Sequence, residues 1–337
     1  MEFKGPEQNY QYAGNDLRCL RCSSFPMNYD DANTKYVCKS CETSYPINNG
    51  IIDGLYDLSN DTRNELLGMI EETGRTSLNP EQFKVHTIEK VDSFEERCEM
   101  SKDMIFDYYG SCLLHFKQAI EKIKIQGNEK VLEVGSELNH PFLNYFSELG
   151  CECFATNIYF SIDSKEQTKK LPIRVLGDMN NLPYSNERFD IIIFSATLHH
   201  SNDLDKVTSE ASRVLKPGGK VIAVNEPVAG LLKNFSKRED GSKENRNSDI
   251  NENEYSAFKY KSAFKKHGLK GELFFPRYYD YKLQSGRMGG QRFESLAKIV
   301  SSIWKIKSVR WFLMKFGLSP GQVILGLQFN GIFKKSS

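Results

Sequence analysis

Short apolar runs alternate with helical stretches through the second half of the chain. We expect strands at residues 130–134, 152–157, 174–176, 189–195 and 220–225. Such alternation is typical of a parallel sheet with helices on both faces. The run from Phe189 to Phe194 is almost entirely apolar, as a central strand buried on both faces should be. The pattern therefore predicts an α/β domain, which we place at residues 127–337.

The region before this domain, residues 59–126, has a helical pattern. Three polar helix starts punctuate it, at Asn79-Pro80, Asp92-Ser93 and Ser111. We interpret the region as a helical linker or as a cover for the mouth of the active site.

The region after the fifth strand begins with a polar stretch. Residues 236–254 cannot bury enough apolar surface to offset the entropy of ordering, so we expect a mobile loop there. Residues 255–267 predict a helix that ends at Gly268, because glycine readily adopts the left-handed conformation of a C-terminal cap. Strands near 272–278 and 322–334 would complete the sheet.

Residues 291–316 combine apolar side chains with basic ones. Against the single acid Glu294 stand Arg292, Lys298, Lys305, Lys307, Arg310 and Lys315. A basic amphipathic insertion of this kind can lie on an anionic membrane, track a phosphate backbone or pack across the sheet as a lid. The sequence leaves these roles open, so peripheral membrane contact through 291–316 is one of the expected partners.

Composition narrows the class of protein. The chain has 337 residues, of which 39% are hydrophobic and 26% charged, and its net charge is +1. This balance gives no global attraction to nucleic acid or to an anionic membrane. No apolar window reaches the roughly 18 residues that a membrane-spanning helix needs. The polar stretch 1–16 has no secretory or transit pattern, so we predict a cytoplasmic protein.

Four of the eight cysteines form two closely spaced pairs near the start of the chain: Cys19, Cys22, Cys38 and Cys41. Two C-x2-C pairs separated by fifteen residues match the four-cysteine zinc template, although chance spacing is the alternative. Four thiolates close the zinc shell and leave no position for water, so the predicted ion is structural. The segment 1–58 is too small to be stable through apolar burial alone, and a metal would supply the missing stability.

Together with Tyr45-Pro46-Ile47 and Gly50-Ile51, these cysteines resemble the small zinc-ribbon proteins that act as activator subunits of eukaryotic methyltransferases. Related ribbons are fused in front of many bacterial methyltransferases. The resemblance implies an N-terminal zinc ribbon at residues 1–58 but does not indicate a substrate.

A glycine turn follows the first predicted strand of the α/β domain. The segment Val131-Leu132-Glu133-Val134-Gly135 is a strand that runs into a turn, and a helix is expected at 141–149. Such a turn presents backbone N–H groups to a ligand at the carboxyl end of the sheet. Asn157 ends the next strand, at the spacing where an acidic ribose-binding residue would lie.

Further segments follow in a fixed order: Gly177-Asp178, Asn181-Leu182-Pro183-Tyr184, Phe189-Asp190 and the stretch from Arg213 to Lys220. In this order the chain resembles the class I methyltransferases, the family of quinone, sterol and small-molecule methyltransferases. The resemblance implies a Rossmann-like sheet and an enzyme that uses S-adenosylmethionine. It places Glu133, Gly135 and Ser136 by the methionine end of that cofactor, Asn157 and Ile158 by the ribose and adenine, Asp178 and Met179 at the adenine edge, and Ser195 and Ala196 beneath the sulfonium.

Two positions depart from the family pattern. The family has three alternating glycines after the first strand, but here Gly135 is followed by Ser136 and Glu137. The side chain of Glu137 narrows the approach of the ligand to the backbone, and its carboxylate would repel the methionine carboxylate unless a cation intervenes. Asn157 replaces the ribose-binding carboxylate. A neutral amide still accepts a hydroxyl hydrogen bond, and losing the charge assistance forgoes about 1 kcal/mol of affinity.

Two histidines follow the fourth strand of the domain. Methyl transfer to a hydroxyl or a protonated amine needs a base, and His200 or His199 is the predicted one, with Glu226 at the end of the fifth strand as the residue that orients it. The alternative is a histidine pair that only forms hydrogen bonds with the backbone of a turn.

Three functions remain open at this point. The first is methyl transfer to an oxygen or nitrogen of a small metabolite, a saccharide or a lipid-linked intermediate, so the partner is a small-molecule or glycan acceptor. The second is an RNA-base methyltransferase whose ribbon binds RNA, against which the near-neutral charge counts. The third is a non-catalytic zinc-ribbon adaptor built on a degenerate methyltransferase fold.

Overall fold

The computed structural model describes residues 13–48, 50–73, 108–136, 141–160, 172–229, 253, 255–274, 276–277, 302–315 and 328–337. Its strands are β1 (Asn28–Asp30), β2 (Lys35–Val37), β3 (Ser44–Asn48), β4 (Ile51–Asp53), β5 (Lys130–Val134), β6 (Glu152–Asn157), β7 (Ile173–Leu176), β8 (Phe189–Ser195), β9 (Leu215–Glu226), β10 (Leu269–Phe274) and β11 (Phe329–Lys335). Its helices are α1 (Asn60–Thr73), α2 (Tyr108–Ile120), α3 (Pro141–Glu148), α4 (Leu204–Val214), α5 (Ala257–Lys266) and α6 (Lys307–Lys315). Short 3₁₀ turns lie at Asp31–Asn33 and Leu198–His200.

These strands form one sheet in the order β1-β2-β3-β4-β7-β6-β5-β8-β9-β11-β10. From β7 to β9 neighbouring strands are parallel, whereas β11 is antiparallel to β9 and to β10. The chain winds outward from β5 in one direction and then from β8 in the other. Sheets of this order bind ligands outside the carboxyl ends of the strands where the direction reverses, which here is between β5 and β8.

Both faces of the central strands are buried. Because side chains alternate along a strand, Leu132 and Ile192 pack on one face of the sheet while Val131 and Ile191 pack on the other. Residues of α4 and α5 cover the first face, and residues of α2 and α3 cover the second. The predicted α/β fold with helices on both faces is confirmed.

The five predicted strands of the domain are confirmed, and those at 130–134, 152–157 and 189–195 have the predicted ends. The strand expected at 272–278 instead begins at Leu269, because Gly268 adopts φ +75° and the chain leaves α5 directly into β10. Asp203 caps α4, since its side chain accepts a hydrogen bond of 3.0 Å from the backbone N–H of Lys206.

The N-terminal segment extends the main sheet. Strand β4 pairs in parallel with β7, with Ile52 opposite Val175, and so joins β1 to β4 to the edge of the sheet. On the amino-terminal side of β5, Lys130 Nζ donates hydrogen bonds of 2.9 and 2.8 Å to the buried carboxylate of Asp16. Burial by itself lowers the pKa of Lys130, but the bonds to Asp16 outweigh it and the pKa is raised. The sequence did not predict that the N-terminal strands would continue the main sheet.

The region 59–126 contributes α1 and α2 to the part of the chain described. A helix start at Ser111 is wrong, because α2 begins at Tyr108, and the starts at Asn79-Pro80 and Asp92-Ser93 lie outside the described residues. The expected mobile loop at 236–254 also lies outside them, except for Asn253.

Within 302–315, Trp304 is buried and Trp311 exposed. None of the helices in the described ranges has the length and apolarity needed to cross a membrane.

Candidate functional site: a crevice at the carboxyl edge of the sheet and a four-cysteine cluster

Two turns face each other where the sheet order reverses. Gly135 follows β5 with φ +74°, and Ala196 follows β8 with φ +51°. A Cβ at residue 135 would lie 2.3 Å from both Cγ2 and Oγ1 of Thr197, so this position requires glycine for two independent reasons. The backbone N–H of Gly135 donates to the carbonyl of Thr156 on β6 over 2.8 Å, which fixes the turn against the next strand.

A buried carboxylate lies at the base of the glycine turn. Glu133 is 4% exposed and accepts a hydrogen bond of 2.9 Å from Ser136 Oγ, which is itself buried. A buried charge requires hydrogen-bond donors, and the serine hydroxyl supplies one. The hydrogen bond from Ser136 to Glu133 therefore links the two ends of the turn. Glu137, the residue that departs from the family pattern, lies outside the described residues.

Asn157 uses its amide to hold the glycine turn. Its Nδ2 donates to the carbonyl of Ser136 over 3.0 Å, and its Oδ1 accepts from the backbone N–H of Ile158 over 2.8 Å. A carboxylate at this position could accept the second bond but could not donate the first. Asn157 therefore stabilises the glycine turn through a hydrogen bond that the acid usual at this position could not donate.

The carboxylate of Asp178 follows β7 and is 7% exposed. Oδ1 accepts from the backbone N–H and the Nδ2 of Asn180, over 2.7 and 2.9 Å, and Oδ2 accepts from the Thr62 hydroxyl over 2.8 Å. Met179 packs, half-buried, against the adjacent core. Helix α1 thereby contacts the edge of the crevice through a hydrogen bond that the sequence did not indicate.

Glu226 organises the turn that carries the two histidines. Its Oε1 accepts from the backbone N–H groups of Thr197 and Leu198, over 2.8 and 3.0 Å, and its Oε2 lies 3.1 Å from His199 Nδ1. The Glu226 side chain is fully buried. The structure thus brings Glu226 to His199, whereas the sequence left open which histidine it would orient.

His200 has a different carboxylate beside it. Its Nδ1 lies 3.1 Å from Oε1 of Glu65 on α1, and the centroids of the His199 and His200 rings are 4.3 Å apart. The side chain of His200 is 28% exposed, against 9% for His199. Glu65 has no signal in the sequence beyond its place one turn after Thr62 in a polar helix, so pattern analysis could not have found it.

The four cysteines lie together at the start of the chain. Their sulfur atoms all lie within 4.8 Å of one another, with 3.4 Å between Cys19 and Cys41 and 3.5 Å between Cys22 and Cys38. Sulfurs about 2.3 Å from a tetrahedral zinc ion stand about 3.8 Å apart. The cluster is thus of the right size to hold one such ion.

The two cysteine pairs also share a backbone geometry. After each pair the chain takes a left-handed residue, Ser23 with φ 60° and Glu42 with φ 60°. The first and last residues of each loop are joined alike, since Cys19 N donates to Ser24 O and Cys38 N donates to Thr43 O, both over 2.9 Å. Two equivalent turns thus bring the four sulfurs together.

The segment that forms the crevice is similar to known methyltransferases. Residues 132–223, about a quarter of the chain, match the family described as "Methyltransferase domain". The chain carries a methyltransferase domain. Its matched segment begins in β5 and ends in β9, so it contains the switch point and the turns on either side of it. With the observed strand order, this makes the fold a Rossmann-like methyltransferase fold.

Relatives of the methyltransferase domain are matched over part of their length. The methyltransferase GfsG of Streptomyces halstedii is 28% identical over 123 residues, which is 34% of this chain and 44% of that protein. The mitochondrial 2-methoxy-6-polyprenyl-1,4-benzoquinol methylase of Rattus norvegicus is 36% identical over 63 residues, 17% of this chain and 19% of that protein. The chain therefore spans less than half the length of these relatives.

Among solved structures, the YcgJ protein of Bacillus subtilis superposes with a TM-score of 0.40 at 18% sequence identity. The superposition covers 68% of this chain and 100% of that one.

Proposed function

We propose that the protein transfers a methyl group from S-adenosylmethionine to an oxygen or nitrogen atom of a small metabolite, a saccharide or a lipid-linked intermediate. The observation that carries the proposal is the glycine turn at Gly135, which lies at the switch point of the sheet within the segment that matches a methyltransferase domain. The benzoquinol methylase of rat has a polyprenyl ring compound in its name, which supports the lipid-linked option.

The crevice residues fit such a cofactor chemically. The carbonyl of the Asn157 amide has two lone pairs, and only one is used by Ile158, so the other can accept a ribose hydroxyl. Glu133 offers a carboxylate to the ammonium of the methionine end, and the backbone at Gly135 is free of a side chain. The other residues assigned to the cofactor are Ser136, Ile158, Asp178, Met179, Ser195 and Ala196.

The cofactor supplies an activated methyl group on a sulfonium, so the protein's task is to position the acceptor in line with it and to take up a proton. His199 and Glu226 form the fixed wall of the acceptor side, because the Glu226 carboxylate also holds two backbone N–H groups of the same turn. His200 is the more exposed of the two rings and the one placed to accept a proton.

The four cysteines hold, in the same proposal, one structural zinc ion. The spacing of their sulfurs and the two equivalent turns support this assignment. A four-thiolate shell has no open position, so the ion would stabilise the N-terminal strands and take no part in methyl transfer.

Isothermal titration calorimetry with S-adenosylmethionine and its demethylated product tests the cofactor assignment. Saturable binding at micromolar to submillimolar concentration is expected, and the Gly135→Ala variant should lose it. Absence of heat and of any thermal shift at millimolar ligand would contradict the proposal and favour a domain that has kept only the fold.

A further inference from the structure

Helix α1 carries two buried polar side chains toward the crevice from one face. Thr62 and Glu65 are each 6% exposed, and residues three apart lie on the same side of a helix. Their neighbours Asp61, Arg63 and Asn64 are exposed. The first turn is fixed by Ser59, whose Oγ accepts from the backbone N–H of Thr62 over 3.1 Å.

The two partners of this face lie at different parts of the crevice. Thr62 donates to Asp178, at the edge assigned to the adenine, and Glu65 lies beside His200, on the acceptor side. These two contacts fix helix α1 against both Asp178 and His200. Nδ1 of His200 lies 3.1 Å from Oε1 of the buried Glu65 carboxylate, close enough for a strong electrostatic attraction when the imidazole is protonated.

We propose that Glu65 is a positioning residue for proton removal by His200, and that the acceptor of the methyl group is therefore a hydroxyl compound. This inference rests on the proposed methyltransferase function. A carboxylate 3.1 Å from Nδ1 favours the neutral tautomer that carries its hydrogen on Nδ1, and this tautomer presents Nε2 as the atom that accepts a proton. The carboxylate selects that tautomer and stabilises the imidazolium that forms.

The step balances in atoms and electrons. An oxygen lone pair of the acceptor forms the new bond to the methyl carbon, and the pair of the breaking carbon–sulfur bond stays on sulfur, which becomes a neutral thioether. The hydroxyl proton moves to Nε2 of His200. The positive charge of the sulfonium thus ends on the imidazolium beside Glu65 and is released with the proton to solvent.

The surrounding carboxylates favour a neutral hydroxyl over a protonated amine. Glu65 lies 3.1 Å from Nδ1 of His200, and Glu226 accepts from two backbone N–H groups and contacts His199. The Asp178 carboxylate accepts from Asn180 and Thr62. These three carboxylates already have partners, and the fourth carboxylate of the crevice, Glu133, is assigned to the methionine end of the cofactor, so none of the four is reserved for an ammonium acceptor.

The test uses the full chain, S-adenosylmethionine with a labelled methyl group and a metabolite extract, with the linkage in the labelled product determined by mass spectrometry. An oxygen-linked methyl group is expected. Glu65→Gln should lower kcat at least about tenfold while the KM for S-adenosylmethionine changes less than about twofold, and Glu65→Asp should restore part of the loss. Asp61→Asn, which removes an exposed acid from the same helix, is the matched control and should leave kcat unchanged.

A second readout separates positioning from mere support of the fold. Removing the negative charge beside His200 should lower the pKa of its imidazole, so the acidic limb of the pH–rate profile and the His200 titration in NMR spectra should both move to lower pH in Glu65→Gln. Label found only on nitrogen, or a limb and a titration that stay in place, would overturn the inference. Failure of the wild-type chain to bind S-adenosylmethionine in the calorimeter would instead overturn the proposed function on which it rests.

Discussion

The hydroxyl of Thr62 donates a hydrogen bond of 2.8 Å to Oδ2 of Asp178, a residue 116 positions further along the chain. The contact joins a helix outside the matched methyltransferase segment to a carboxylate inside it. Because both side chains are buried, the bond cannot be replaced by water without opening the interface. The region between the cysteine cluster and the domain is thus part of the crevice wall.

Replacing Thr62 by Val keeps the shape of the side chain and removes its donor. The variant should lose about 1 kcal/mol of unfolding free energy, because the Asp178 carboxylate keeps its two bonds from Asn180 but loses the third. Urea denaturation measures the change. Arg63→Ala, an exposed change on the same helix, should stay within about 0.5 kcal/mol of the wild type, and an equal loss in both variants would contradict the assigned bond.

Gly135→Ala tests the steric argument at the glycine turn. The added Cβ meets Thr197 at 2.3 Å in a left-handed backbone, so we expect a loss of about 3 kcal/mol in unfolding free energy together with loss of cofactor binding. A second change, Thr197→Ala, removes the two atoms at 2.3 Å and leaves only the Thr197 Cβ at 2.9 Å. The double variant should recover part of the stability, and strictly additive losses would show that the contact is not the cause.

Asn157→Asp restores the acid that the family uses, yet it should destabilise this chain. The carboxylate cannot donate to the carbonyl of Ser136, so the glycine turn loses the bond that now measures 3.0 Å. We expect unfolding free energy at pH 7 to fall by about 1 kcal/mol or slightly more. Thermal melts with and without S-adenosylmethionine report it, and a more stable Asp variant in the absence of ligand would refute the role given to Nδ2.

The cysteine cluster should carry one zinc ion per chain in reduced, freshly purified protein. Cys22→Ser changes an exposed thiol, so lost packing is minimal, and it should abolish stoichiometric zinc and lower unfolding free energy by at least about 3 kcal/mol. Elemental analysis measures the zinc. Cys151→Ala, at a buried cysteine away from the cluster, should keep the metal, and zinc-free wild-type protein would disprove the site.

The pair of Lys130 and Asp16 predicts a dependence of stability on alkaline pH. The pKa of Lys130 is raised in the folded protein, so its contribution is complete below the ordinary lysine pKa of about 10.4 and is lost as pH rises through the folded value. Lys130→Met leaves Asp16 buried without that partner and should cost about 3 kcal/mol near pH 7. The difference between wild type and variant, followed by urea unfolding, should shrink above about pH 10. A constant difference would contradict the pairing.

The sequence by itself determined the features that local pattern encodes. Short, mainly apolar runs located β5 to β9, since strands buried on both faces are rich in apolar residues, and the spacing of the four cysteines indicated a metal cluster. The glycine after β5 and the cap at Asp203 were likewise predictable, because each answers a backbone requirement of its immediate neighbours.

Only the tertiary structure decided which distant residues meet. The pairing of β4 with β7, the bond from Asn157 to Ser136 and the approach of Glu65 to His200 each depend on how separate elements pack, and a polar side chain in a helix gives no sign of the face on which it will be buried. The substitution at Asn157 looked like a lost ligand contact from the sequence. In the fold it is also the donor that holds the glycine turn, because a hydrogen-bond partner is fixed by three-dimensional position rather than by spacing along the chain.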